Sequence, residues 1–237
     1  MSRIDLRPKH LVLLDAGHGI NTPGKRSPRW ADGRQLLEWQ FNRTLALRIQ
    51  QALCDLGYDA RLLVPEDDDL PLQARVKRAT TLVEEHKGKG GIFPNRLLIS
   101  IHANASTTPD DDTCPLTLHQ QEAYTVNPSG WECFANGSSW NSRHMAALLL
   151  KHAAAQLPDT FPIRGAYGNV RQTGVRCEAK VAKFFMLKNA PCAAVLTENL
   201  FMDCKKDCDY LFTPEALDTL ARIHIDAIDE NFVHNTD

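Results

Sequence analysis

No stretch of the 237 residues approaches the ~20 consecutive apolar residues that a membrane-spanning helix needs. The opening MSRIDLRPKH is polar and carries a proline, without the apolar centre of a secretory signal. The sequence therefore predicts a chain made in the cytosol. Excess positive charge is missing too: 27 Lys and Arg face 29 Asp and Glu for a net charge of −2, and the basic residues are scattered. Nothing resembles a face that neutralises a phosphate backbone, so nucleic acid is not an expected partner. There is no CxxC pair, and the seven cysteines (Cys54, Cys114, Cys133, Cys177, Cys192, Cys204, Cys208) are an odd number. That pattern fits neither a disulfide framework nor a zinc knuckle. Cys204 and Cys208 are spaced for one helical turn but have no histidine nearby, so they read as plain thiols. Internal repeats, low-complexity tracts, heptads and long apolar stripes are absent as well, which makes a monomer the expectation.

What is present is a chain 43% hydrophobic, long enough for one core that buries roughly 70–75% of the unfolded surface. The reading is a short extension at residues 1–9 and one domain at residues 10–237. Its organising stretch is Leu11–Gly19, LVLLDAGHG, an apolar run of strand length that stops where two glycines bracket His18. The arrangement recurs in LLISIH, ending at His102, and in AAVLTE, ending at Glu198. In an open α/β sheet, ligands gather outside the carboxyl ends of the strands, so these distant residues are expected along one edge.

Between these runs, strands alternate with helical patterns. Gln35–Leu56 carries apolar residues at helical spacing up to Gly57, and Tyr58–Val64 reads as a strand followed by the acidic turn Pro65–Asp69. Leu72–His86 reads as a helix whose Arg75, Lys77 and Arg78 mark an exposed face. A glycine-rich break, Gly88–Pro94, precedes the strand ending in SIHANAS, where Ser100, His102 and Asn104 share one side. The polar stretch Ser106–Ser129 reads as a loop insertion, Gly130–Ala135 as a short strand and Ser138–Leu157 as a helix. Pro158–Arg176 is a loop able to rim a cleft, Lys183–Leu187 another strand and Pro214–Val233 the closing helix. The fold class is α/β: a single domain with a mostly parallel twisted sheet of about six strands, flanked by helices.

Two histidines and a carboxylate suit Zn²⁺, and a catalytic zinc takes three protein ligands with a fourth position left for water or substrate. His18 and His102 are the best candidates. The third ligand stays open between Glu38, Glu198 and Asp15, because spacing does not choose. Position alone gives Glu38 no special role, since a first-turn carboxylate is already favoured by the helix dipole.

LVLLDAGHG with Pro23-Gly24 after it, the glutamate at the start of the first long helix, LLISIHANAS and KFFMLKNAPCAAVLTENLF together resemble the zinc-dependent N-acetylmuramoyl-L-alanine amidases of the amidase-3 type. The likeness runs from about His10 to the closing helix. It implies one Zn²⁺ per chain held by His18, Glu38 and His102, with Glu198 as the catalytic general base and acid. The implied substrate is peptidoglycan or a muropeptide, cut between the lactyl group of N-acetylmuramic acid and L-alanine. Apart from the resemblance, Asp15, Ser100 and Asn104 are candidates to orient the ligands. One departure is Leu200, where the family usually has glycine two residues after the catalytic glutamate; Phe201 matches. A second is the stretch after SIHANAS, too short and polar for the long regulatory helix of some periplasmic members, so an open site is expected. The missing leader and free cysteines favour a phage-type endolysin released from the cytosol to act in the periplasm or wall; the alternative is a periplasmic enzyme whose leader is not in the sequence. Two rival readings are a zinc carboxypeptidase using Arg164, Arg171 or Arg176 to hold a substrate carboxylate, and a non-catalytic wall-binding protein on the same scaffold.

Overall fold

The computed structural model describes residues 7–88, 96–107, 114–173 and 178–233. Arg176, Cys177, most of the Gly88–Pro94 break and the first six residues of the N-terminal extension lie outside them.

Strand β1 (Leu11–Ala16) leads to helix α1 (Glu38–Asp55), β2 (Asp59–Leu62), α2 (Leu72–Gly88) and β3 (Arg96–Asn104). After β3 come α3 (Leu118–Glu122), β4 (Trp131–Ala135), α4 (Trp140–Gln156), β5 (Ile163–Gly165), β6 (Gly168–Asn169) and α5 (Val170–Thr173). The chain closes with β7 (Lys180–Val181), α6 (Phe185–Asn189), β8 (Ala193–Phe201), α7 (Lys205–Leu211) and α8 (Pro214–Val233). The strands form one sheet in the order β2-β1-β3-β8-β4-β5-β6, with β7 also paired to β4. Pairing is parallel from β2 through β8, turns antiparallel between β8 and β4, and is parallel again from β4 to β5 and β7. The mostly parallel sheet is as expected; among the described residues it has eight strands, two of them two-residue pieces.

Strand alternation sorts the core into two layers. Val12, Leu14, Ile99, Ile101 and Val195 pack with Leu45, Ile49, Leu149 and Ile228 of α1, α4 and α8. Leu11, Leu13, Leu98 and Leu196 face Ala79 and Val83 of α2 and Met186 and Leu187 of α6. Helix α1 thus leaves β1 on one face while α2 returns to β3 across the other. The crevice at the carboxyl ends of β1 and β3 is where such a sheet accepts ligands.

Three expectations need correction. Lys183–Leu187 is not a strand: Lys180–Val181 pairs with Phe134 and Ala135 of β4, beyond the residues that β5 takes, and Phe185–Asn189 turns as a helix. A five-residue apolar run fits either element, and here a helical turn drops Met186 and Leu187 into the α2-side layer before Pro191 ends it. Arg75 is not on an exposed face; it is 2% exposed, under the β1 exit. The first helix begins at Glu38 rather than Gln35, because Arg26 and Leu37 pair as an isolated antiparallel bridge that holds the preceding residues extended.

Candidate metal centre

His18 leaves β1 between two glycines that the packing requires. A Cβ on Gly17 would meet the His102 ring at 2.1 Å, and one on Gly19 would meet the Asp69 backbone nitrogen at 2.0 Å. His18 itself adopts φ 65°, a left-handed conformation that L-residues other than glycine rarely take. The acidic turn holds this loop in place: the Gly19 amide donates to Thr22 Oγ1 at 3.0 Å, and Thr22 Oγ1 donates to Asp69 at 2.6 Å. Arg75 completes the clamp by donating to the carbonyls of Ala16 and His18 and to the carboxylates of Asp15 and Asp69.

Glu38, the first residue of α1, is buried and its amide donates to Lys25 O. Its Oε1 lies 3.4 Å from His18 Nε2 and 3.1 Å from His102 Nδ1. The two imidazoles meet edge to face at 5.0 Å. Among the described residues, His18, Glu38 and His102 offer three ligand atoms within 4.8 Å of one another. Of the three residues left open as third ligand, the structure brings Glu38 to the histidines. Asp15 stands behind them: it accepts from Ser100 Oγ at 2.8 Å, and Ser100 Oγ is 3.3 Å from His102 Nε2. With Nδ1 turned to Glu38, Nε2 is left to donate into this serine–aspartate–arginine chain, an arrangement that fixes a ligand imidazole and raises its basicity. Asn104 shares the side of Ser100 and His102, but its amide donates to Glu132 at 3.3 Å instead of reaching a histidine.

Burial pushes the Glu38 carboxyl up, but the hydrogen bonds from His102 and His18 outweigh it and hold the group well below the usual carboxylate range. Burial lowers His102 as a base, yet the contact with Glu38 raises it overall. Glu198 behaves oppositely. Burial carries its carboxyl up to about 7, with Glu38 and Glu132 adding to the rise and His102 opposing it. It stands directly across from His102 in the β3–β8 register, and its Oε2 is buried without a hydrogen-bond partner. An ionised, bridging Glu38 beside a protonatable Glu198 gives two carboxylates with separate chemical roles.

A β-bulge sets Glu198 at this height. His102 pairs with Glu198 but Asn104 pairs with Phe201, so Asn199 and Leu200 together oppose Ala103. Leu200 lies in the bulge at φ 69°, where glycine would be unstrained, and its side chain is fully buried.

Four contributors were not anticipated from the sequence. Asn42, one helical turn after Glu38, donates to Gly17 O at 3.1 Å and to Glu38 Oε1 at 3.3 Å, and its i+4 spacing was the available signal. Arg75 carried no sequence signal of burial. Glu132 on β4 stands opposite Glu198, and Asn199 joins the His102 carbonyl to the buried Trp131 indole. Of the arginines considered for holding a carboxylate, Arg171 is committed elsewhere. It donates to the carbonyls of Ala154, Pro158 and Phe161 at the end of α4 and beyond.

A family model described as N-acetylmuramoyl-L-alanine amidase matches residues 12–230. No curated protein matches the chain in sequence. Among solved structures, the catalytic domain of CwlV, an N-acetylmuramoyl-L-alanine amidase of Bacillus (Paenibacillus) polymyxa, is similar at 22% identity and TM-score 0.63, covering 93% of this chain and 97% of that one. The amidase AmiC2 of Nostoc punctiforme aligns at 23% identity and TM-score 0.64 over 93% and 95% of the two chains. The catalytic domain of the CD27L endolysin, which targets Clostridia difficile, aligns at 17% identity and TM-score 0.54 over 95% and 97%. At these identities the structural likeness is one of fold.

Proposed function

This chain belongs to the N-acetylmuramoyl-L-alanine amidases of the amidase-3 type, and on that footing we propose that it is a zinc-dependent peptidoglycan hydrolase. In this reading His18 Nε2, Glu38 Oε1 and His102 Nδ1 hold one Zn²⁺ and Glu198 is the catalytic general base and acid. The observation that carries it is three ligand atoms within 4.8 Å of one another beside the half-buried Glu198, whose Oε2 is buried without a hydrogen-bond partner. Two imidazole nitrogens and one carboxylate oxygen are a donor set that Zn²⁺ accepts with a position left open. When bound, the ion supplies Lewis-acid polarisation of the scissile carbonyl and lowers the pKa of a water toward about 7.

The remaining work falls to the chain's own groups. Glu198 takes a proton from the attacking water as its oxygen bonds to the lactyl carbonyl carbon. The same carboxyl returns that proton to the alanine nitrogen as the C–N bond breaks, releasing a lactyl carboxylate and a peptide amine. A carboxyl raised to about 7 is suited to both transfers near neutral pH. Ser100, Asp15 and Arg75 keep the His102 ring oriented, and Asn42 keeps the Glu38 carboxylate turned toward the histidines. The substrate polymer lies outside the cytoplasmic membrane, so the enzyme acts in the periplasm or wall; among the described residues no helix is long and apolar enough to cross a membrane.

The test is digestion of purified peptidoglycan with and without a chelator, followed by mass analysis of the products. Free stem peptides and peptide-free glycan formed only with metal support the reading. Peptides shortened while still joined to muramic acid would replace it with a peptidase, and no cleavage by zinc-loaded protein would replace it with a binding role.

A further inference from the structure

Four residues stand in one transverse row along the sheet edge made by the carboxyl ends of β3 and β8 and the amino ends of the oppositely running β4 and β5. His102 pairs with Glu198, Glu198 with Glu132, and Glu132 with Arg164, so the row crosses β3, β8, β4 and β5. Residues paired across neighbouring strands project from the same face. At about 4.8 Å per strand, Arg164 sits on the order of 10 Å from Glu198 along the row.

The far end of the row is a cationic pair built over a buried acid. Glu132 is 4% exposed, while the side chains of Arg164 and Lys180 are 37% and 29% exposed. Lys180 Nζ lies 2.8 Å from Glu132 Oε1, and Arg164 Nε pairs with the same oxygen. The Arg164 guanidinium also rests over the Phe201 ring at 5.3 Å, and Lys180 Nζ over Phe134 at 5.6 Å. One buried carboxylate meets two partly exposed cations, so Glu132 alone does not match both charges. A strand-like peptide spans ~3.3–3.6 Å per residue, so about three residues cover the backbone distance from Glu198 to Arg164, and about two once the Arg164 side chain reaches back over β4 to Glu132 and Phe201.

We propose that Arg164 and Lys180 form a carboxylate-binding subsite, held in place by Glu132, that takes a free carboxylate on the second residue of the stem peptide. The proposal rests on the amidase reading and adds a substrate preference to it: a peptide acid at this position binds and its amide does not. Arg and Lys donate to carboxylates in charge-assisted hydrogen bonds, roughly twice as strong as those a neutral carboxamide accepts.

The experiment uses the zinc-loaded full chain and two sets of glycan strands whose stem peptides differ only in the second residue, α-carboxyl free or α-amidated. The wild type is expected to cleave the free-acid strands with kcat/KM roughly tenfold or more above the amidated ones, in line with the strength of charge-assisted hydrogen bonds. Arg164→Gln combined with Lys180→Gln is expected to bring that ratio to about one. Because the ratio is taken within a single preparation, partial misfolding scales both rates and leaves it unchanged. Arg164→Lys, which keeps the charge, is expected to restore part of the preference. A wild-type ratio near one, or an undiminished ratio in the double variant, overturns the subsite. Failure of the wild type to release peptide from either strand overturns the amidase reading itself.

Discussion

The Arg75 guanidinium lies 2.5 Å from the Asp15 carboxylate, and both side chains are almost sealed from water. Arg75 also holds the carbonyls on either side of Gly17, so one buried charge fixes both the exit of β1 and the aspartate behind His102. Removing one member of a buried pair strands the other, at a cost of about 3–5 kcal/mol. Arg75→Met is therefore expected to lower the unfolding free energy by that amount and to weaken zinc retention, since His18 loses its anchor. Adding Asp15→Asn should return part of the stability, because the sealed carboxylate is then gone, while Asp69, the other partner of Arg75, is 32% exposed and keeps the Thr22 hydroxyl. Urea unfolding of both single variants and the double one, with metal content measured alongside, checks this; a double variant as unstable as the sum of its parts would count against a buried ion pair.

Separating the two glutamates gives the second prediction. Glu38 lies within 3.4 Å of both histidines, whereas Glu198 makes no such contact and sits one strand away. Glu198→Gln should bind a full equivalent of zinc and lose about 10²–10⁴ in turnover, the usual contribution of a general acid–base group. Glu38→Gln should lose metal as well as activity. Elemental analysis after dialysis, paired with peptide-release rates, distinguishes them, and the reverse pattern would mean their roles are exchanged.

The legible parts of this site are those that depend on strands. Apolar runs ending in His18, His102 and Glu198 announce buried parallel strands, and parallel strands bring their carboxyl ends to one edge. Glu38 was ambiguous because an acid in a first helical turn has an ordinary electrostatic explanation, and its burial depends on the Arg26–Leu37 bridge that delays the helix. Arg75 was misread since a charged residue on a helix is usually solvated, and only the loop of β1 folding over α2 supplies its partners. Glu132 was invisible for a different reason: a five-residue strand does not say which strand it will pair with, or in which direction. Leu200 was visible as a departure from glycine, and its backbone has the positive φ that glycine accommodates.

Stability toward acid is governed in part by His224, which is fully buried in α8. Its Nδ1 donates to Leu220 O at 2.7 Å, leaving Nε2 to accept from Thr197 Oγ1 at 3.0 Å, so both nitrogens are satisfied in the neutral ring. Burial lowers its pKa to about 4. The unfolded chain, with a histidine near its ordinary value of about 6.5, binds the proton first. This term is therefore fully favourable above about pH 6.5 and is lost as pH falls toward 4, by roughly 3 kcal/mol. Urea titrations of wild type and His224→Phe from pH 7 to 4.5 should show the stability gap between them shrinking as the pH drops. A gap independent of pH would mean that the ring is not held neutral.

Leu200 sets backbone strain against packing at one residue. A left-handed conformation costs an L-residue roughly 1–2 kcal/mol, which glycine avoids. The Leu200 side chain is fully buried in the α1-side core, and truncating a buried leucine to alanine costs about 2–5 kcal/mol. Packing is the larger effect, so Leu200→Gly is expected to destabilise the protein even though it relieves the backbone strain. Leu200→Ala loses nearly the same packing and keeps the strain, so it should be less stable than Leu200→Gly by about 1 kcal/mol. That order reverses the one found in unstrained helices and strands, where alanine is the more stable residue. Thermal midpoints of the three proteins decide the matter: wild type above glycine above alanine is the expected ranking, and alanine above glycine would mean that the bulge relaxes to negative φ once the leucine side chain is gone. Activity adds a second reading, because Glu198 lies two residues before the bulge's left-handed residue. Leu200→Gly keeps the backbone path and should retain turnover at temperatures where it is folded, whereas a relaxed alanine bulge would move the Glu198 carboxyl and lower kcat without loss of zinc.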